Sequence, residues 1–447
     1  MASVLFRATG LHKYIPQVNS VTGYITVVSC CFIPALIYLF FQVYSLNDQR
    51  VQPRGCRKLG LRIPSNVTDE HDPQYAKGLR QPLDGQKEIA RVKSLWIYPV
   101  KSTKGVELNR GEVVSTGFEY DRHFSFADLK SKFPMSTVDP TPKEGIHTWT
   151  FLTQRQSPKL ARVKTEIWVP DTSSPTYSRH EPNVQSGGVL IIRYPWIREG
   201  VWGRLDQLAT LIGREPHHSV SIPYNPTPEQ IQANGYTMDV MKIWRDFSNS
   251  LCIGTTEPPS PSRYLEELRY FLGVANPLAL FKIPTDDPRR VYRNAPKQDE
   301  IGYQPVVGFA DSYPLHILNL ASVHDVRAHL PKGTPKLSIL QFRGNIIMTG
   351  PVAYAEDSWK RIKIGDYEFY VTSRTGRCKL PNVNQITGIA NDAEPDKTLR
   401  SFRCIDGGAP KVACLGMMLV PVDQNCVIKV GDAIELLETG EHFYLKL

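Results

Sequence analysis

The chain has 447 residues, 41% of them hydrophobic and 22% charged, and a formal net charge of +9 at pH 7. This length predicts one large or two ordinary globular domains with a normal packed core. The positive charge favours anionic partners, but the chain has no basic run interleaved with aromatic residues and no zinc-finger spacing, which argues against nucleic-acid binding.

An uncharged stretch runs from Tyr14 to Asn47 near the N-terminus. Its most apolar part, 23–44, is long enough as a helix to cross a bilayer core of about 30 Å. The stretch starts late and lacks a small-residue cleavage site, so an anchor is favoured over a cleavable signal peptide. More basic residues follow the segment than precede it, which places the C-terminal bulk in the cytosol. We therefore expect a single-pass membrane protein with a short N-terminal tail, 1–22.

Residues 45–88 are polar and rich in proline and glycine, which predicts a flexible spacer. Folded sequence begins at the strand-like run 91–100, which ends in Lys101 and Ser102. A second extended run, 111–127, carries Arg122. Lys101, Ser102 and Arg122 offer the donors that an anionic phosphate needs.

The middle of the chain, 156–300, is less informative. It predicts a strand at 188–192 and helices at 203–212 and 262–272. Near the C-terminus, the run 427–436 predicts a pair of strands.

Cys378 is the strongest candidate for chemistry. It follows an alternating run, 367–371, in a loop rich in glycine and arginine. Strand ends position reactive side chains, and nearby cations favour the thiolate, the form that binds metals. On local sequence alone, a buried and inert cysteine is the commoner outcome.

The eight cysteines contain no C-x-x-C pair. This usage is typical of a reducing compartment and offers no iron–sulfur spacing. Electrons for any redox reaction must therefore come from a separate protein.

Five ordered blocks decide what Cys378 does. They are 342–347, 354–359, 364–366, 377–378 with 387–388, and 428–432. Together they resemble the MOSC domain, the molybdenum-cofactor-binding module of the mitochondrial amidoxime-reducing component and its bacterial relatives. The resemblance covers residues 90 to 440 and is patchy between 156 and 300.

The resemblance implies that Cys378 is the protein thiolate on molybdenum, a role that suits soft sulfur. It implies that Asp311 is an acidic residue close to the metal. The implied cofactor-binding residues are Lys101, Ser102, Arg122, Arg155, Arg343, Asn345 and Arg377. The sequence departs from the family at Tyr313 and Gly376, where some relatives have serine.

The expected fold is mainly β with some α, as two β-barrel-like domains behind the N-terminal transmembrane helix. A MOSC N-terminal domain with insertions would span 89–286, and a MOSC domain 287–447. The cofactor would lie in the cleft between them, where ligands of this size commonly bind. The strand pair at 427–436 would close the second barrel.

The implied function is a molybdenum-cofactor oxidoreductase that reduces N-hydroxylated substrates such as amidoximes and hydroxylamines. Cytochrome b5 and cytochrome b5 reductase would supply the electrons, and the mitochondrial outer membrane is favoured over the endoplasmic reticulum. Two alternatives stay open: a sulfur carrier or sulfurtransferase of the cofactor-sulfurase type, and a non-catalytic cofactor-binding protein. The sulfurase would need a pyridoxal-phosphate domain, for which the chain is too short and too β-like.

Overall fold

The computed structural model describes residues 21, 25–36, 38, 52–62, 64–78, 88–131, 147–211, 213–258 and 261–445. The chain separates into two compact units, Met1–Arg54 and Gly55–Leu447. In the first unit, residues 25–36 are helical. Within the described ranges no helix is both long and apolar enough to cross a membrane. Parts of the predicted anchor at 23–44 lie outside those ranges, so the anchor stays a prediction.

The unit Gly55–Leu447 is built mainly of β-strands. They are β1 Cys56–Lys58, β2 Glu88–Ile97, β3 Val106–Leu108, β4 Arg110–Val114, β5 Gly117–Phe118, β6 Phe124–Ser131, β7 His147–Phe151, β8 Lys164–Pro170, β9 Val189–Pro195, β10 His217–Pro223, β11 Thr237–Ile243, β12 Asp246–Thr255, β13 Leu278–Lys282, β14 Arg289–Arg290, β15 Val306–Val307, β16 Leu315–Asn319, β17 Ile346–Thr349, β18 Trp359–Ile364, β19 Tyr367–Gly376, β20 Cys414–Pro421, β21 Cys426–Lys429 and β22 Ala433–Thr439.

Short helices connect these strands. The α-helices are α1 Pro182–Gln185, α2 Gly200–Leu211, α3 Pro228–Asn234, α4 Arg263–Leu272, α5 Gln298–Ile301, α6 Leu320–His329 and α7 Asp396–Phe402. Turns of 3-10 helix lie at Pro73–Ala76, Pro158–Arg162, Ile339–Phe342, Ala355–Ser358 and Leu380–Asn382. The predicted strand at 188–192 is confirmed as β9, and the two predicted helices are confirmed as α2 and α4.

The first barrel is closed by strands β11, β12, β13, β6 and β7 in that order. Strand β13 is buried along its whole length because its two faces pack in different cores. Successive side chains of a strand point to opposite sides. Ala279 and Phe281 therefore join the cluster of Trp149, whereas Leu278 and Leu280 pack in a cluster that includes the apolar face of α4.

The second barrel is a ring of seven strands. They pair in the order β17, β16, β20, β19, β18, β22 and β2, and β2 pairs again with β17; β3 extends the sheet from β2. The predicted domain boundary at 286/287 therefore differs from the structure, since β2 and β3 belong to the second ring. Ala90, Val92, Leu95 and Ile97 of β2 are buried in the same core as Ile346, and this burial holds β2 in the ring.

The prediction that the strand pair at 427–436 closes the second barrel is wrong in its pairing. The run does contain two strands, but β21 pairs with β4 in a separate three-stranded sheet. Strand β22 alone enters the ring, between β18 and β2.

The predicted flexible spacer 45–88 also differs from the structure where residues 52–62 and 64–78 are described. Strand β1 pairs with β8, and Val67 is buried in a core cluster. The Glu70 carboxylate accepts hydrogen bonds from Arg327 Nη2 at 2.8 Å and from the backbone N–H of Ile339 at 2.7 Å. These buried contacts hold the segment against the rest of the folded unit. Its prolines and glycines therefore mark turns of folded structure.

Candidate functional site

Most of the predicted site residues line one cavity of about 990 Å³. They are Lys101, Ser102, Arg122, Asp311, Arg343, Asn345, Arg377 and Cys378. The lining has nine cationic side chains, namely Lys101, Arg122, Arg245, Arg289, Arg290, Arg293, Arg343, Arg374 and Arg377, and three carboxylates, Asp246, Asp311 and Asp406. A cavity with this excess of positive charge attracts anions.

Arg155 lies outside this lining. Its guanidinium carbon is 4.7 Å from the ring centroid of Trp244. Trp244 in turn donates from Nε1 to Asp311 Oδ1 at 3.0 Å. Arg155 therefore contacts Trp244, which bonds to Asp311, and does not itself line the cavity.

Cys378 lies two residues beyond β19 and is exposed. The strand runs to Gly376, further than the sequence pattern predicts. The buried side chain of Arg377, the preceding residue, holds the loop in place. Its guanidinium donates to the carbonyl oxygens of Leu415 (2.9 Å) and Phe342 (3.1 Å), and to His316 Nε2 (2.6 Å). Burial lowers the pKa of Arg377 to about 9, which still leaves the guanidinium charged at neutral pH.

Four other cysteines of the unit Gly55–Leu447 are buried. Burial raises the pKa of four buried thiols to about 11: Cys56, Cys252, Cys414 and Cys426. A thiol with so high a pKa keeps its proton at neutral pH and is a poor metal ligand. Cys414 also lines the cavity, but only Cys378 combines that position with exposure among the described cysteines of Gly55–Leu447.

Two arginines and a tyrosine form a stack at one wall of the cavity. The guanidinium carbons of Arg343 and Arg122 lie 4.1 and 4.7 Å from the ring centroid of Tyr98. Both arginines have left-handed backbone conformations, each with φ of 55°. This sparsely populated conformation costs energy in a residue with a side chain. The surrounding contacts must therefore hold both turns, and they aim two guanidinium groups at one region.

Hydrogen bonds orient this stack. Asp121, which is 2% exposed, pairs with Arg122 and accepts from Asn345 Nδ2 at 3.1 Å. Arg122 Nη1 also donates to Asn345 Oδ1 at 3.2 Å. Arg343 Nη1 donates to the carbonyl oxygen of Thr103 at 2.7 Å, and burial lowers the pKa of Arg343 to about 10.

An ion pair between the buried Lys101 and the half-exposed Asp311 joins the two halves of the chain. Lys101 Nζ donates to Asp311 Oδ1 at 2.6 Å and to the carbonyl oxygen of Phe309 at 2.8 Å. Loss of solvent alone would raise the pKa of Asp311, but the charge and hydrogen bond of Lys101 outweigh it and hold that pKa far below its ordinary value. Asp311 is therefore ionised at neutral pH and acts as an acceptor.

Unpartnered polar atoms concentrate at the cavity. Ten buried side-chain nitrogen or oxygen atoms of the described residues have no hydrogen-bond partner, and five belong to residues that line it. The five are Arg293 Nε, Arg343 Nη2, Ser373 Oγ, Arg374 Nε and Thr375 Oγ1. Each such atom costs about 1–3 kcal/mol when left unpaired, so their concentration indicates a polar ligand.

Sequence reasoning missed several residues that shape the site. Tyr98 and Asp121 stand inside the motifs that flagged Lys101 and Arg122, so the signal was present. Trp244 and Gln385 lie in stretches without a pattern. Gln385 is joined to Gln154 by reciprocal amide hydrogen bonds of 2.8 and 3.1 Å across 231 residues of chain, and no local signal marks such a contact.

The two departures from the family have structural explanations. A side chain at Gly376 would bring its Cβ within 2.9 Å of Val412 Cγ1, so a serine there would require Val412 to move. Tyr313 is buried and donates its hydroxyl to the carbonyl oxygen of Arg293 at 2.6 Å. It ties down the chain that carries Arg293.

Comparison with known families agrees with this architecture. Residues 89–184 match the MOSC N-terminal beta barrel domain, and residues 304–435 match the MOSC domain. The fold and the two matches define a MOSC-domain protein.

Curated relatives narrow this class. The chain is 34% identical over 355 residues to mitochondrial amidoxime-reducing component 1 of Homo sapiens, covering 78% of this chain and 84% of that protein. It is 33% identical over 353 residues to mitochondrial amidoxime reducing component 2 of Rattus norvegicus, covering 78% and 83%. The chain belongs to the family of the mitochondrial amidoxime-reducing components.

Proposed function

We propose that this protein is a molybdenum-cofactor oxidoreductase that reduces N-hydroxylated compounds such as amidoximes and hydroxylamines. The observation that carries the proposal is the cationic cavity, which places Cys378 among buried polar atoms that lack partners. The relatives are named for amidoxime reduction, which supplies the reaction class. In that reaction the N–O bond breaks, two electrons and two protons enter, and the oxygen leaves as water.

The donor set fits the cofactor. Lys101, Ser102, Arg122 and Arg343 would hold its phosphate, and Arg343 Nη2, which has no partner, would donate to a phosphate oxygen. Charge-assisted bonds of this kind are strong, and arginine suits phosphate geometry. Cys378 would be the metal ligand. When bound, the molybdenum supplies the two-electron exchange with the N–O bond.

The remaining site residues would orient these groups. Arg377 holds the loop of Cys378 through its bonds to carbonyl oxygens. Asn345 bonds to both Asp121 and Arg122 and keeps that guanidinium aimed at the phosphate. Asp311 is ionised and holds Lys101, and Arg155 supports Asp311 through Trp244. As a fixed anion in the cavity, Asp311 would also accept a hydrogen bond from the N–H or O–H of the substrate.

The electrons would come from cytochrome b5 and its reductase. This part of the proposal rests on the family, on the absence of clustered cysteines in the sequence, and on the net charge of +9, which suits an acidic partner. Residues 23–44 would anchor the protein in the mitochondrial outer membrane with the folded unit in the cytosol. Protease added outside intact mitochondria should then digest the folded unit, and protection of that unit would contradict this orientation.

Metal and pterin analysis tests the proposal. The full chain, expressed in a host that makes the cofactor, should contain one molybdenum and one pterin per chain. It should reduce an aryl amidoxime when supplied with cytochrome b5, its reductase and NADH. Cys378→Ala should lose molybdenum and activity, whereas Cys404→Ala, which changes a cysteine outside the cavity lining, should keep both.

Three results would contradict the proposal. Absence of molybdenum from the unmodified chain would show that the protein does not bind the cofactor. Molybdenum and pterin without N-reduction would indicate a cofactor-binding protein that is not this reductase. Full activity in Cys378→Ala would show that a different ligand holds the metal.

A further inference from the structure

The cavity carries more positive charge than the cofactor would neutralise. The lining has nine cations and three carboxylates, and the buried Asp121 pairs with Arg122 from behind, which leaves an excess of five positive charges. A phosphate monoester carries about −1.5 to −2 at pH 7, and a Cys378 thiolate would add one negative charge. About two positive charges stay uncompensated, so the cavity has the charge to accept a second anionic group.

Four side chains form a group that the phosphate site does not use. We call Arg293, Ser373, Arg374 and Thr375 the second donor cluster. Each lines the cavity, and each has a buried side-chain atom without a partner. Ser373 and Thr375 are 2% and 4% exposed. Two hydroxyl groups and two guanidinium N–H groups are thus desolvated without an acceptor.

The backbone explains why three consecutive residues of this cluster line one cavity. In a regular strand Arg374 would point away from the face of Ser373 and Thr375. Strand β19 has two irregularities in its pairing with β20, between Val371 and Ser373 and between Arg374 and Gly376. Such bulges re-aim side chains and occur next to active sites.

The C-terminal segment positions the two arginines. Arg293 Nη1 donates to the Tyr444 hydroxyl at 3.0 Å, and Arg374 Nη1 donates to the carbonyl oxygen of His442 at 2.8 Å. The nearest carboxylate is Asp406, whose Oδ2 lies 3.5 Å from Arg374 Nη1. Asp406 Oδ1 is already bonded to the backbone N–H groups of Gly408 and Tyr444. Asp406 therefore satisfies neither Nε group.

We propose that the second donor cluster binds an acid group of the substrate, a carboxylate or a phosphate. Guanidinium and hydroxyl donors make strong, charge-assisted bonds to such anions. This inference rests on the proposed function, and it names the substrate class: N-hydroxylated compounds that also carry an acid group. The substrate would then be held at its acid group by the cluster and turned over beside Cys378.

The test compares an aryl amidoxime with the same compound carrying a ring carboxylate. The unmodified protein should have a kcat/KM at least tenfold higher for the acidic compound, through a lower KM. In Ser373→Ala/Thr375→Val and in Arg293→Gln, this ratio should fall at least fivefold. Folding does not confound the first variant, because deleting buried hydroxyls that lack partners costs little stability.

Arg361→Gln is the matched control. Arg361 also has a buried Nε without a partner, but it does not line the cavity. The preference for the acidic compound should therefore persist in Arg361→Gln. Calorimetric binding of the acidic amidine product to the loaded protein gives a readout without turnover. Its affinity should exceed that of the neutral amidine at least tenfold and should fall in both cluster variants.

Each other outcome is informative. Loss of pterin in both cluster variants but not in Arg361→Gln would assign the cluster to the cofactor and overturn the inference. An unchanged preference in the cluster variants, or none in the unmodified protein, would also overturn it. If the unmodified protein reduces neither amidoxime but binds the acidic amidine through the cluster, the proposed function fails while the subsite stands.

Discussion

Asp121 offers a sharp test of how the site is held together. It is buried beside Arg122, whose side chain is 14% exposed. Its two carboxylate oxygens accept from Arg122, from Asn345 Nδ2, and from the backbone N–H of Tyr98 at 2.7 Å. Asp121→Ala would leave a buried guanidinium and two neutral donors without this acceptor.

The expected cost is large. Removing one partner of a buried ion pair destabilises a protein by about 3–5 kcal/mol, a substantial share of a total that is typically about 5–15 kcal/mol. Asparagine at position 121 has nearly the volume of aspartate and keeps one acceptor oxygen, but its amide nitrogen would face other donors. Asp121→Asn should therefore lose less stability than Asp121→Ala. In both variants Arg122 loses the partner that aims it, so cofactor content should fall.

Urea unfolding and pterin content per chain measure the two effects separately. Asp128→Asn is the control: Asp128 is also buried, yet its nearest charged partner, Lys130, lies 3.7 Å away. That change should cost less than about 1 kcal/mol. If Asp121→Ala unfolded within 1 kcal/mol of the unmodified protein and kept its pterin, the account of Asp121 as the holder of the arginine stack would be refuted.

Three further predictions follow from other contacts. Burial raises the pKa of the Glu356 carboxyl from 4.5 to about 7, so the folded state binds the carboxyl proton more tightly than the unfolded state. This tighter binding stabilises the fold by about 3 kcal/mol below pH 4.5. The stabilisation is lost as the pH rises through 7. Glu356→Gln should therefore flatten this loss in urea midpoints between pH 5 and 8, and an unchanged slope would contradict it. Gly408→Ala should lower the melting temperature by the equivalent of about 1–3 kcal/mol, because its Cβ would overlap the Tyr444 carbonyl group, whereas Gly407→Ala should cost less, since its Cβ would meet only the Phe443 ring, at 3.2 Å. Arg343→Lys should bind less cofactor, since lysine keeps the charge but loses the planar stack on Tyr98; pterin content equal to that of the unmodified chain would contradict this.

The sequence motifs select residues that share one cavity, whereas the strand pairing around that cavity is not readable from local sequence. Cys378, Lys101 and Arg122 stand in short motifs, so their residue types and order carried the signal. Eight of the nine predicted site residues line the cavity. Arg155 differs because its aromatic partner, Trp244, lies 89 positions further along the chain, and nothing local marks that pairing.

Strand pairing was harder to read. The run 427–436 predicts two strands, but only the fold decides that β21 pairs with β4 and that β22 enters the ring. The proline- and glycine-rich segment before residue 78 has the composition of a linker. Its burial depends on Glu70 meeting Arg327, more than 250 residues away, which composition does not reveal.

The pairing of β2 with β17 explains why the site needs both halves of the chain. Leu95 lies opposite Ile346 in that pair, and the backbone N–H of Trp96 donates to the carbonyl oxygen of Asn345 at 2.8 Å. This register brings Tyr98, the residue after β2, against Arg343, just before β17. A chain cut at 286/287 would leave β17 and β22 without β2, and Arg343 without Tyr98. The same strand pairing therefore closes the second ring and brings the arginine stack together.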